Sequence, residues 1–263
     1  METGYPKDEA KALAWWIMEE ETGLSRSQIL NGCKITKNLA HVQEVVARLL
    51  HFEPIQYIFG HTEWCGMDLK VTPATLIPRP ETAELVERVS VFRFPMSDCR
   101  VLDIGTGSGC IALALKKKHP EWDVTGIDIS DEAVKVASEN AQRNGAKAAF
   151  RKMDIFSDEI EGIGTYDIIV SNPPYICEKE KTTMRKNVLD YEPQTALFVP
   201  DDDPLKFYRR IADLKLGKYL FFEINEAYGE EMVKVLNNNG YTDVRLTKDM
   251  YGKTRIIEGR MVG

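Results

Sequence analysis

The chain has 263 residues, of which 43% are hydrophobic and 29% charged, a composition typical of a globular protein large enough to bury a core. Its 41 acidic and 34 basic residues give a net charge of −7, which disfavours a strongly basic nucleic-acid-binding domain. The five cysteines lack CxxC spacing, and the sequence has neither a signal peptide nor an apolar run of about 20 residues. We therefore expect a cytoplasmic protein with reduced thiols and no membrane contact.

The first 100 residues predict helices on either side of a strand pair. Residues 1–52 carry apolar side chains at helical spacing and are expected to form helices. Residues 56–72 are rich in aromatic and β-branched types with glycine breaks, which predicts a hairpin that connects two domains. Pro80 suits the first turn of a helix that we expect over residues 81–92.

Strand-like and helix-like segments alternate from residue 100 onward. We predict strands at 101–104, 123–128, 149–154, 166–171 and 218–224, helices at 111–118, 131–144, 204–216 and 229–236, and a final antiparallel pair at 241–249 and 255–260. This alternation predicts a mostly parallel sheet covered by helices on both faces, and therefore an α/β fold.

A glycine-rich loop, DIGTGSG at 103–109, joins the first sheet strand to its helix. Ligands of parallel sheets bind beyond the carboxyl ends of the strands, and glycines let the backbone approach them closely, although a tight turn without a ligand has the same composition. A dinucleotide fingerprint would need glycine at position 110, which is Cys110. Asp103 instead suits a ligand with a cationic ammonium group and no phosphates, such as S-adenosylmethionine.

Two aspartates end the next two predicted strands. Asp128 lies 19 residues after Gly109 and can accept hydrogen bonds from both ribose hydroxyls of S-adenosylmethionine or of a nicotinamide dinucleotide. Asp154 suits either an adenine amine or an ordinary turn or helix cap, and Ile155 and Phe156 can supply apolar walls. The predicted cofactor-binding residues are Asp103, Gly105, Thr106, Gly107, Ser108, Gly109, Asp128, Asp154, Ile155 and Asn172.

The sequence Asn172-Pro173-Pro174-Tyr175 directly follows the strand predicted at 166–171. Two prolines end the strand and stiffen the loop, which is also what a rigid turn with an asparagine cap requires. Because this loop leaves the same sheet edge as the glycine loop, we expect both to border one crevice. There the Asn172 oxygen and the Pro173 carbonyl present two fixed acceptors to a planar NH2 group, and the Tyr175 ring lies against that group.

Together, D-I-G-T-G-S-G and N-P-P-Y resemble the class I, S-adenosylmethionine-dependent methyltransferases that alkylate conjugated amino nitrogens. Members of that class act on N6 of adenine in DNA, N2 of guanine in RNA, or N5 of glutamine, and the two motifs do not choose among these substrates.

Residues 53–87 indicate which of these substrates is used. They closely resemble the segment that joins the two domains of the release-factor glutamine methyltransferase family (HemK or PrmC). Residues 190–197, 207–211 and 248–255 also resemble that family. Residues 200–204, PDDDP, depart from it, since the family usually has a glycine-rich stretch there.

The resemblance implies a Rossmann-like class I methyltransferase fold, with a mostly parallel seven-stranded sheet and an antiparallel final strand. It also implies a helical substrate-recognition domain at 1–52, a β-hairpin linker at 53–75 and the methyltransferase domain at 76–263. The expected cofactor is S-adenosylmethionine, with S-adenosylhomocysteine as product. The expected partners are class 1 peptide-chain release factors, whose Gly-Gly-Gln glutamine is methylated, and we expect a monomer that does not bind nucleic acid directly.

The site residues expected for this reaction surround the proline loop. The expected catalytic residues are Asn172, Pro173 and Tyr175, and the expected substrate-binding residues are Asn172, Pro173, Pro174, Tyr175, Arg79 and Glu81. The segment with Arg79 and Glu81 is explained equally well as the start of a helix and as a border of the cofactor or substrate crevice. The histidines at 41, 51, 61 and 119 have no metal-ligand spacing, so we expect no metal.

The N-P-P-Y loop contains no histidine, lysine or carboxylate that would act as a strong base, which favours catalysis by positioning and electrostatic stabilisation. Three alternatives are weighed against it. An RNA or DNA amino-methyltransferase is disfavoured by the acidic charge, a nicotinamide-dependent oxidoreductase by the position of Gly109, and a catalytically idle binding scaffold by the presence of both loops.

Overall fold

The computed structural model describes residues 4–32 and 39–261, and the backbone divides into two compact units. The helical unit comprises the described residues up to Phe59 together with Arg185–Tyr191. The sheet unit comprises Gly60–Met184 and the described residues from Glu192 onward. The chain thus passes from one unit to the other at Phe59, inside the segment that the sequence predicted as a linker.

The elements of the described residues alternate as expected after residue 100. The helices are α1 (Lys7–Thr22), α2 (Arg26–Leu30), α3 (Leu39–Leu50), α4 (Ile55–Phe59), α5 (Pro80–Val91), α6 (Cys110–Lys118), α7 (Asp131–Arg143), α8 (Lys186–Tyr191), α9 (Gln194–Leu197), α10 (Lys206–Leu214) and α11 (Gly229–Asn238). The strands are β1 (His61–Trp64), β2 (Met67–Lys70), β3 (Arg100–Ile104), β4 (Asp123–Asp128), β5 (Ala149–Lys152), β6 (Tyr166–Ser171), β7 (Ile176–Cys177), β8 (Phe198–Val199), β9 (Gly217–Glu223), β10 (Tyr241–Lys248) and β11 (Thr254–Met261). Short 3₁₀ turns occupy Asp158–Ile163, Glu178–Thr183 and Glu226–Tyr228.

The helical unit buries a small apolar core, made of Ile17, Val45, Leu49 and Ile55. It includes α8, which follows the proline loop in sequence, and the Tyr191 hydroxyl of α8 donates a hydrogen bond to the His51 carbonyl at 3.0 Å. The prediction of helices is confirmed for the described part of residues 1–52, and residues 33–38 lie outside the described residues.

One secondary-structure prediction was wrong. Residues 56–59 were expected in a strand but lie in α4, because the Pro54 carbonyl accepts hydrogen bonds from the backbone N–H groups of Tyr57 and Ile58 and so starts a helical turn. Ile55 and Tyr57 are buried there. The strand preference of aromatic and β-branched residues is weak enough for such burial to override it.

The predicted hairpin is confirmed at β1 and β2, which pair antiparallel through a tight turn at Cys65 and Gly66. Both turn residues have positive φ, as a two-residue hairpin turn requires. The hairpin is fixed to the sheet unit, since the Asn140 side chain on α7 accepts from the Lys70 N–H at 2.6 Å and donates to the Lys70 carbonyl at 2.9 Å.

The main sheet, counted over the described residues, has seven strands in the order β10-β11-β9-β6-β3-β4-β5. Neighbouring strands from β9 to β5 are parallel, and β11 is antiparallel to both β9 and β10. The predicted α/β fold, a mostly parallel sheet with an antiparallel final strand, is therefore confirmed.

Helices cover both faces of the main sheet, which explains why its central strands read as continuous apolar runs. One face packs against α5 and α6 around Val101, Leu85 and Leu113. The other packs against α10 and α11, where Ile211 and Leu236 are buried. The loops at the carboxyl ends of the strands stand outside these two layers. No helix of the described residues is both long and apolar enough to cross a lipid bilayer.

Candidate active site

The glycine loop and the proline loop leave the same edge of the main sheet. They follow β3 and β6, which are parallel neighbours with Ile104 opposite Ser171 in register. The Ser171 hydroxyl donates to the Ile104 carbonyl at 2.6 Å, which ties the two strand ends together. Asp128 ends β4, the other neighbour of β3. The three predicted binding segments therefore meet at one crevice of the sheet edge, where ligands of such sheets bind.

The glycine loop has a backbone that requires its glycines. Gly105, Gly107 and Gly109 all have positive φ, at 72°, 55° and 80°. A Cβ on Gly105 or Gly107 would meet no atom within 4 Å, so these two glycines border open space. A Cβ on Gly109 would come within 3.0 Å of the Ala137 Cβ, so this glycine also lets α6 pack closely against α7. The loop thus combines an open edge at Gly105 and Gly107 with a tightly packed base at Gly109.

Asp103 lies fully buried beneath the glycine loop. Its Oδ2 accepts from the Thr106 hydroxyl at 2.7 Å and from the Ala112 N–H at 3.2 Å, so this oxygen organises the loop. Its Oδ1 is buried without a hydrogen-bond partner among the described residues, and burial raises the pKa of the carboxyl to about 7. A buried oxygen without a partner is costly, and a cationic donor such as the ammonium of S-adenosylmethionine would satisfy it, directly or through a water.

Asp128 is held in place by the backbone on both sides. Its Oδ2 accepts from the Gly107 N–H at 2.9 Å and its Oδ1 from the Ser130 N–H at 3.0 Å. Burial raises its pKa. Each carboxylate oxygen can accept a second hydrogen bond, so the predicted pair of ribose hydroxyls fits this carboxylate. The bond to Gly107 adds a role that the sequence did not predict, because Asp128 also fixes the glycine loop.

The segment after β5 forms a turn. The Asp154 Oδ1 accepts from the Phe156 N–H at 2.9 Å, so the alternative prediction of a turn aspartate is confirmed and its contact with an adenine stays a prediction. Ile155 is buried in the core, and its carbonyl accepts from the Arg210 Nε at 2.9 Å. Phe156 is 44% exposed and packs against Phe207 with ring centroids 5.3 Å apart. Of the two predicted apolar walls, Phe156 is the exposed one.

Asn172 is the start of a hydrogen-bonded chain of side chains. Its Nδ2 donates to the Thr82 hydroxyl at 3.2 Å, and that hydroxyl donates to the Glu223 Oε2 at 2.7 Å. The Tyr175 hydroxyl donates to the other oxygen of Glu223, Oε1, at 3.1 Å. Thr82 lies in the first turn of α5 and Glu223 ends β9, so two elements of the sheet unit position the two ends of the proline loop.

The buried carboxylate at the centre of this chain is surrounded by donors. Glu223 is 1% exposed, and burial raises its pKa, while the hydrogen bonds from Thr82 and Tyr175 and the nearby Arg255 guanidinium oppose that rise. Burial and the negative Glu223 together raise the pKa of Tyr175 far above its usual range, so the phenol stays protonated and acts as a donor. Arg255 is itself held by the Asp249 carboxylate at 3.4 Å.

Arg79 and Glu81 lie at the start of α5, which begins at Pro80. The prediction of a helix start is therefore confirmed, and a role for these two residues at the crevice stays a prediction. Arg79 donates to the Glu192 carboxylate at 2.5 Å, and the other oxygen of Glu192 accepts from the Ile77 N–H at 3.2 Å. Glu192 is 4% exposed, so its two bonds fix the segment that precedes α5.

Sequence reasoning missed Thr82, Glu192 and Glu223. Glu223 carries a usable signal, because a carboxylate at the carboxyl end of an otherwise apolar, buried strand needs a partner or a function. Thr82 and Glu192 lie in stretches that resemble the family, but neither residue type nor spacing indicates that they face other parts of the site.

Comparisons with known proteins agree with this geometry. A model described as methyltransferase small domain matches residues 83–191, and one described as PrmC N-terminal domain matches residues 3–60. A release factor glutamine methyltransferase of Bacteroides thetaiotaomicron is 49% identical over 96% of this chain and 93% of its own length. The chain belongs to the release factor glutamine methyltransferase family. The same name is borne by relatives in Flavobacterium psychrophilum, 43% identical over 82% of this chain and 78% of theirs, and in Geobacter sulfurreducens, 37% identical over 94% and 88%.

Solved structures show the same fold at low sequence identity. The hMettl16 catalytic domain in complex with a MAT2A 3′UTR hairpin has a TM-score of 0.58 and 18% identity, over 75% of this chain and 77% of that one. A methyltransferase from Pyrococcus furiosus has a TM-score of 0.54 and 19% identity, over 85% and 98%. Together with the relatives, they confirm the predicted family, the methyltransferase fold and an enzyme of that class.

Proposed function

We propose that this protein transfers the methyl group of S-adenosylmethionine to the side-chain amide nitrogen of the glutamine in the Gly-Gly-Gln motif of class 1 peptide-chain release factors. The observation that carries the proposal is the hydrogen bonding of the Asn172 side-chain amide. Its NH2 end is bound to Thr82, whereas its Oδ1 and the Pro173 carbonyl have no hydrogen-bond partner among the described residues. Two neighbouring acceptors without partners suit one NH2 group.

The cofactor binds along the carboxyl ends of β3 and β4 in this proposal. The open edge at Gly105 and Gly107 receives the methionine part, the unpaired Asp103 oxygen receives its ammonium, and Asp128 accepts from the ribose hydroxyls. Asp154, Ile155 and Phe156 border the adenine. The bound cofactor supplies an electrophilic methyl on its sulfonium, and S-adenosylhomocysteine is the product.

The residues of the proline loop prepare the glutamine nitrogen. Asn172 Oδ1 and the Pro173 carbonyl accept its two N–H hydrogens, which turns the nitrogen lone pair away from them and stabilises the positive charge that develops on attack. Pro173 and Pro174 keep both acceptors rigid, and the Tyr175 ring, tethered through its hydroxyl to Glu223, closes one side of the pocket. Orientation and fixed dipoles thus replace a strong base, and after the methyl has left the sulfonium for the nitrogen, the nitrogen releases one proton to solvent.

Recognition of the release factor belongs to the helical unit in this proposal. A glutamine side chain is too small to distinguish one protein from another, so discrimination needs a second contact surface. The proteins named release factor glutamine methyltransferase match this chain at both units, which supports a folded protein rather than a nucleic acid as the substrate. A cytoplasmic monomer that binds no nucleic acid directly is part of the same proposal.

The test is incubation of the protein with labelled S-adenosylmethionine and, in separate reactions, purified release factor, the same release factor with its Gly-Gly-Gln glutamine replaced by alanine, and total RNA. We expect label only in the unaltered release factor. Label in RNA with none in release factor would replace the proposal by an RNA amino-methyltransferase.

A second experiment addresses the helical unit. A truncated chain that begins at Gly60 loses the N-terminal segment of the helical unit, while it retains α8 and the hairpin, whose Trp64, Met67 and Leu69 are part of the core of the sheet unit. Provided that it folds, it should bind S-adenosylmethionine as the full chain does and methylate intact release factor with a KM raised at least tenfold, because uniform binding is lost. A short Gly-Gly-Gln peptide should be equally poor for both chains. An equal rate loss for peptide and intact protein would mean that the helices support the active site instead.

A further inference from the structure

The hydroxyl of Thr82 has one proton and two neighbours, and this fixes the direction of a whole chain of hydrogen bonds. An ionised carboxylate can only accept hydrogen bonds, so the Thr82 hydroxyl donates its one proton to Glu223, at 2.7 Å. Its oxygen can then act toward Asn172 only as an acceptor. The Asn172 side chain must therefore turn its NH2 end toward Thr82, at 3.2 Å, and its oxygen away from it.

The carboxylate that sets this direction is itself held on every side. Glu223 is 1% exposed, accepts from Thr82 on one oxygen and from Tyr175 on the other, and has the Arg255 guanidinium near it. Burial raises the pKa of Glu223, but the hydrogen bonds from Thr82 and Tyr175 and the charge of Arg255 oppose that rise and favour the ionised, acceptor-only form. Burial of a carboxylate has a large unfavourable desolvation free energy. The methyl-transfer steps above do not use Glu223 as an acid or base.

We propose that Thr82 and Glu223 are positioning residues that fix the orientation of the Asn172 amide and thereby make the site select a carboxamide over a carboxylate. The proposal rests on the proposed function for its substrate. With the amide held this way, the site offers acceptors, Asn172 Oδ1 and the Pro173 carbonyl, to an incoming NH2 group. A carboxylate side chain would place oxygen against oxygen. With the amide reversed, the Asn172 NH2 would face the substrate and would favour glutamate, or the wrong end of glutamine.

A competing explanation gives Thr82 and Glu223 only a packing role between α5 and β9. The two explanations differ in what they predict for selectivity. A packing defect lowers stability and activity alike and leaves the preference for glutamine over glutamate as it was. Loss of the orienting bond changes that preference in a protein that stays folded.

The test compares the wild type with Thr82→Val, which keeps the shape and removes the hydroxyl, and with Thr82→Ser, which keeps the hydroxyl. Ser90→Ala is the matched control, because Ser90 lies on the same helix and its hydroxyl, among the described residues, donates only to the carbonyl of Val86 in the preceding turn. We expect Thr82→Val to lower kcat on intact release factor by about 10-fold to 100-fold, less than the roughly 10²–10³ of a lost transition-state donor. Affinity for S-adenosylmethionine should stay within about twofold, and Thr82→Ser and Ser90→Ala should stay within about threefold of the wild type in kcat.

Selectivity is measured with a release factor whose Gly-Gly-Gln glutamine is replaced by glutamate, used as a competitive inhibitor. We expect its inhibition constant, relative to the KM of the unaltered release factor, to fall at least about fivefold in Thr82→Val and to stay unchanged in Thr82→Ser. Glu223→Gln gives a second variant in case Thr82→Val does not fold. Its NH2 group must face Thr82 or Tyr175, so one hydroxyl loses its acceptor and kcat should again fall about tenfold.

A third readout needs no release factor. In protein with ¹⁵N-labelled asparagine, the Asn172 side-chain amide should show slow hydrogen exchange in the wild type and in Thr82→Ser, and fast exchange in Thr82→Val. If the wild type methylates no release factor but this pattern holds, the proposed function is wrong and the orienting role stands. If Thr82→Val keeps wild-type kcat, selectivity and exchange, or loses activity only in step with its melting temperature and its cofactor affinity, the orienting role is wrong.

Discussion

The two loops of the crevice differ in where their supports come from. The glycine loop is held by residues near it in sequence, since Thr106 and Ala112 bond to Asp103 across 3 and 9 positions, and Gly107 bonds to Asp128 across 21. The proline loop is held by remote residues, since Asn172 reaches Thr82 across 90 positions and Thr82 reaches Glu223 across 141. A locally supported loop can be recognised from its motif, whereas a remotely supported one depends on the finished fold.

The two loops also divide the chemistry in the proposed function. The glycine loop and Asp128 bind the cofactor, and the proline loop orients the nucleophile. Substitutions should therefore separate affinity for S-adenosylmethionine from turnover, and the four predictions below test that separation.

Asn172→Ala should have the largest effect, because it removes an acceptor that acts on the developing charge. We expect turnover to fall by roughly 10²–10³ while affinity for S-adenosylmethionine stays within a few fold. Single-turnover rates together with calorimetric titration of the cofactor measure the two quantities. Turnover near that of the wild type would mean that the loop only shapes the pocket.

Asp128→Ala should have the opposite signature. It removes a charged acceptor for the ribose and the bond to Gly107, so affinity for S-adenosylmethionine should weaken by about 1.5–3 kcal/mol, which is roughly 10-fold to 150-fold. Turnover at saturating cofactor should change much less. Calorimetry that shows unchanged affinity would remove Asp128 from the cofactor site.

Tyr175→Phe should act on turnover more mildly. The substitution keeps the ring and removes the donor to Glu223, so the ring loses its tether and the buried carboxylate keeps Thr82 as its one hydroxyl donor among the described residues. We expect turnover to fall about tenfold, in line with one lost hydrogen bond to a charged group, and cofactor affinity to stay unchanged. A larger loss of cofactor affinity than of turnover would contradict the division between the loops.

The smallest effect concerns pH. The carboxyl of Asp103 has a pKa of about 7 in the folded chain, above its ordinary 3.8, because it is buried. Between about pH 4 and 7, the folded state therefore binds more protons at Asp103 than the unfolded state does. The contribution of Asp103 to the free energy of unfolding falls as the pH rises through that window. A bound ammonium favours the ionised form of Asp103, so the affinity for S-adenosylmethionine should rise a few fold between pH 6 and 8. Binding of the cofactor near pH 7 should release a proton from Asp103.

Calorimetry in buffers of different ionisation enthalpy measures that proton. Asp103→Asn should show no such release. If the wild type binds the cofactor with the same affinity and the same proton balance as this variant, Asp103 does not sense the ligand's charge.

The regular part of the fold followed from short-range signals. β4 and β6 begin and end at the predicted residues, and α7 begins where predicted, with the Ser130 side chain accepting from the Ala133 N–H as its cap. Residues 56–59 were predicted wrongly because burial and the turn at Pro54 outweighed local strand preference. The residues that the proline loop contacts could not be predicted from one sequence, since no local pattern relates Thr82 to Glu223.

The return of Arg185–Tyr191 to the helical unit makes the chain cross between the two units at three places within the described residues, after Phe59, Met184 and Tyr191. The helical unit is therefore discontinuous in sequence, so protein engineering cannot exchange it as a single cassette. In the proposed function, where the helical unit recognises the release factor, grafting a different recognition surface onto this enzyme means replacing two segments together, and one of them begins only ten residues after Tyr175. A change in the length of that short stretch alters the chain between the proline loop and α8, so in the proposed function it bears on both the reacting centre and the choice of substrate.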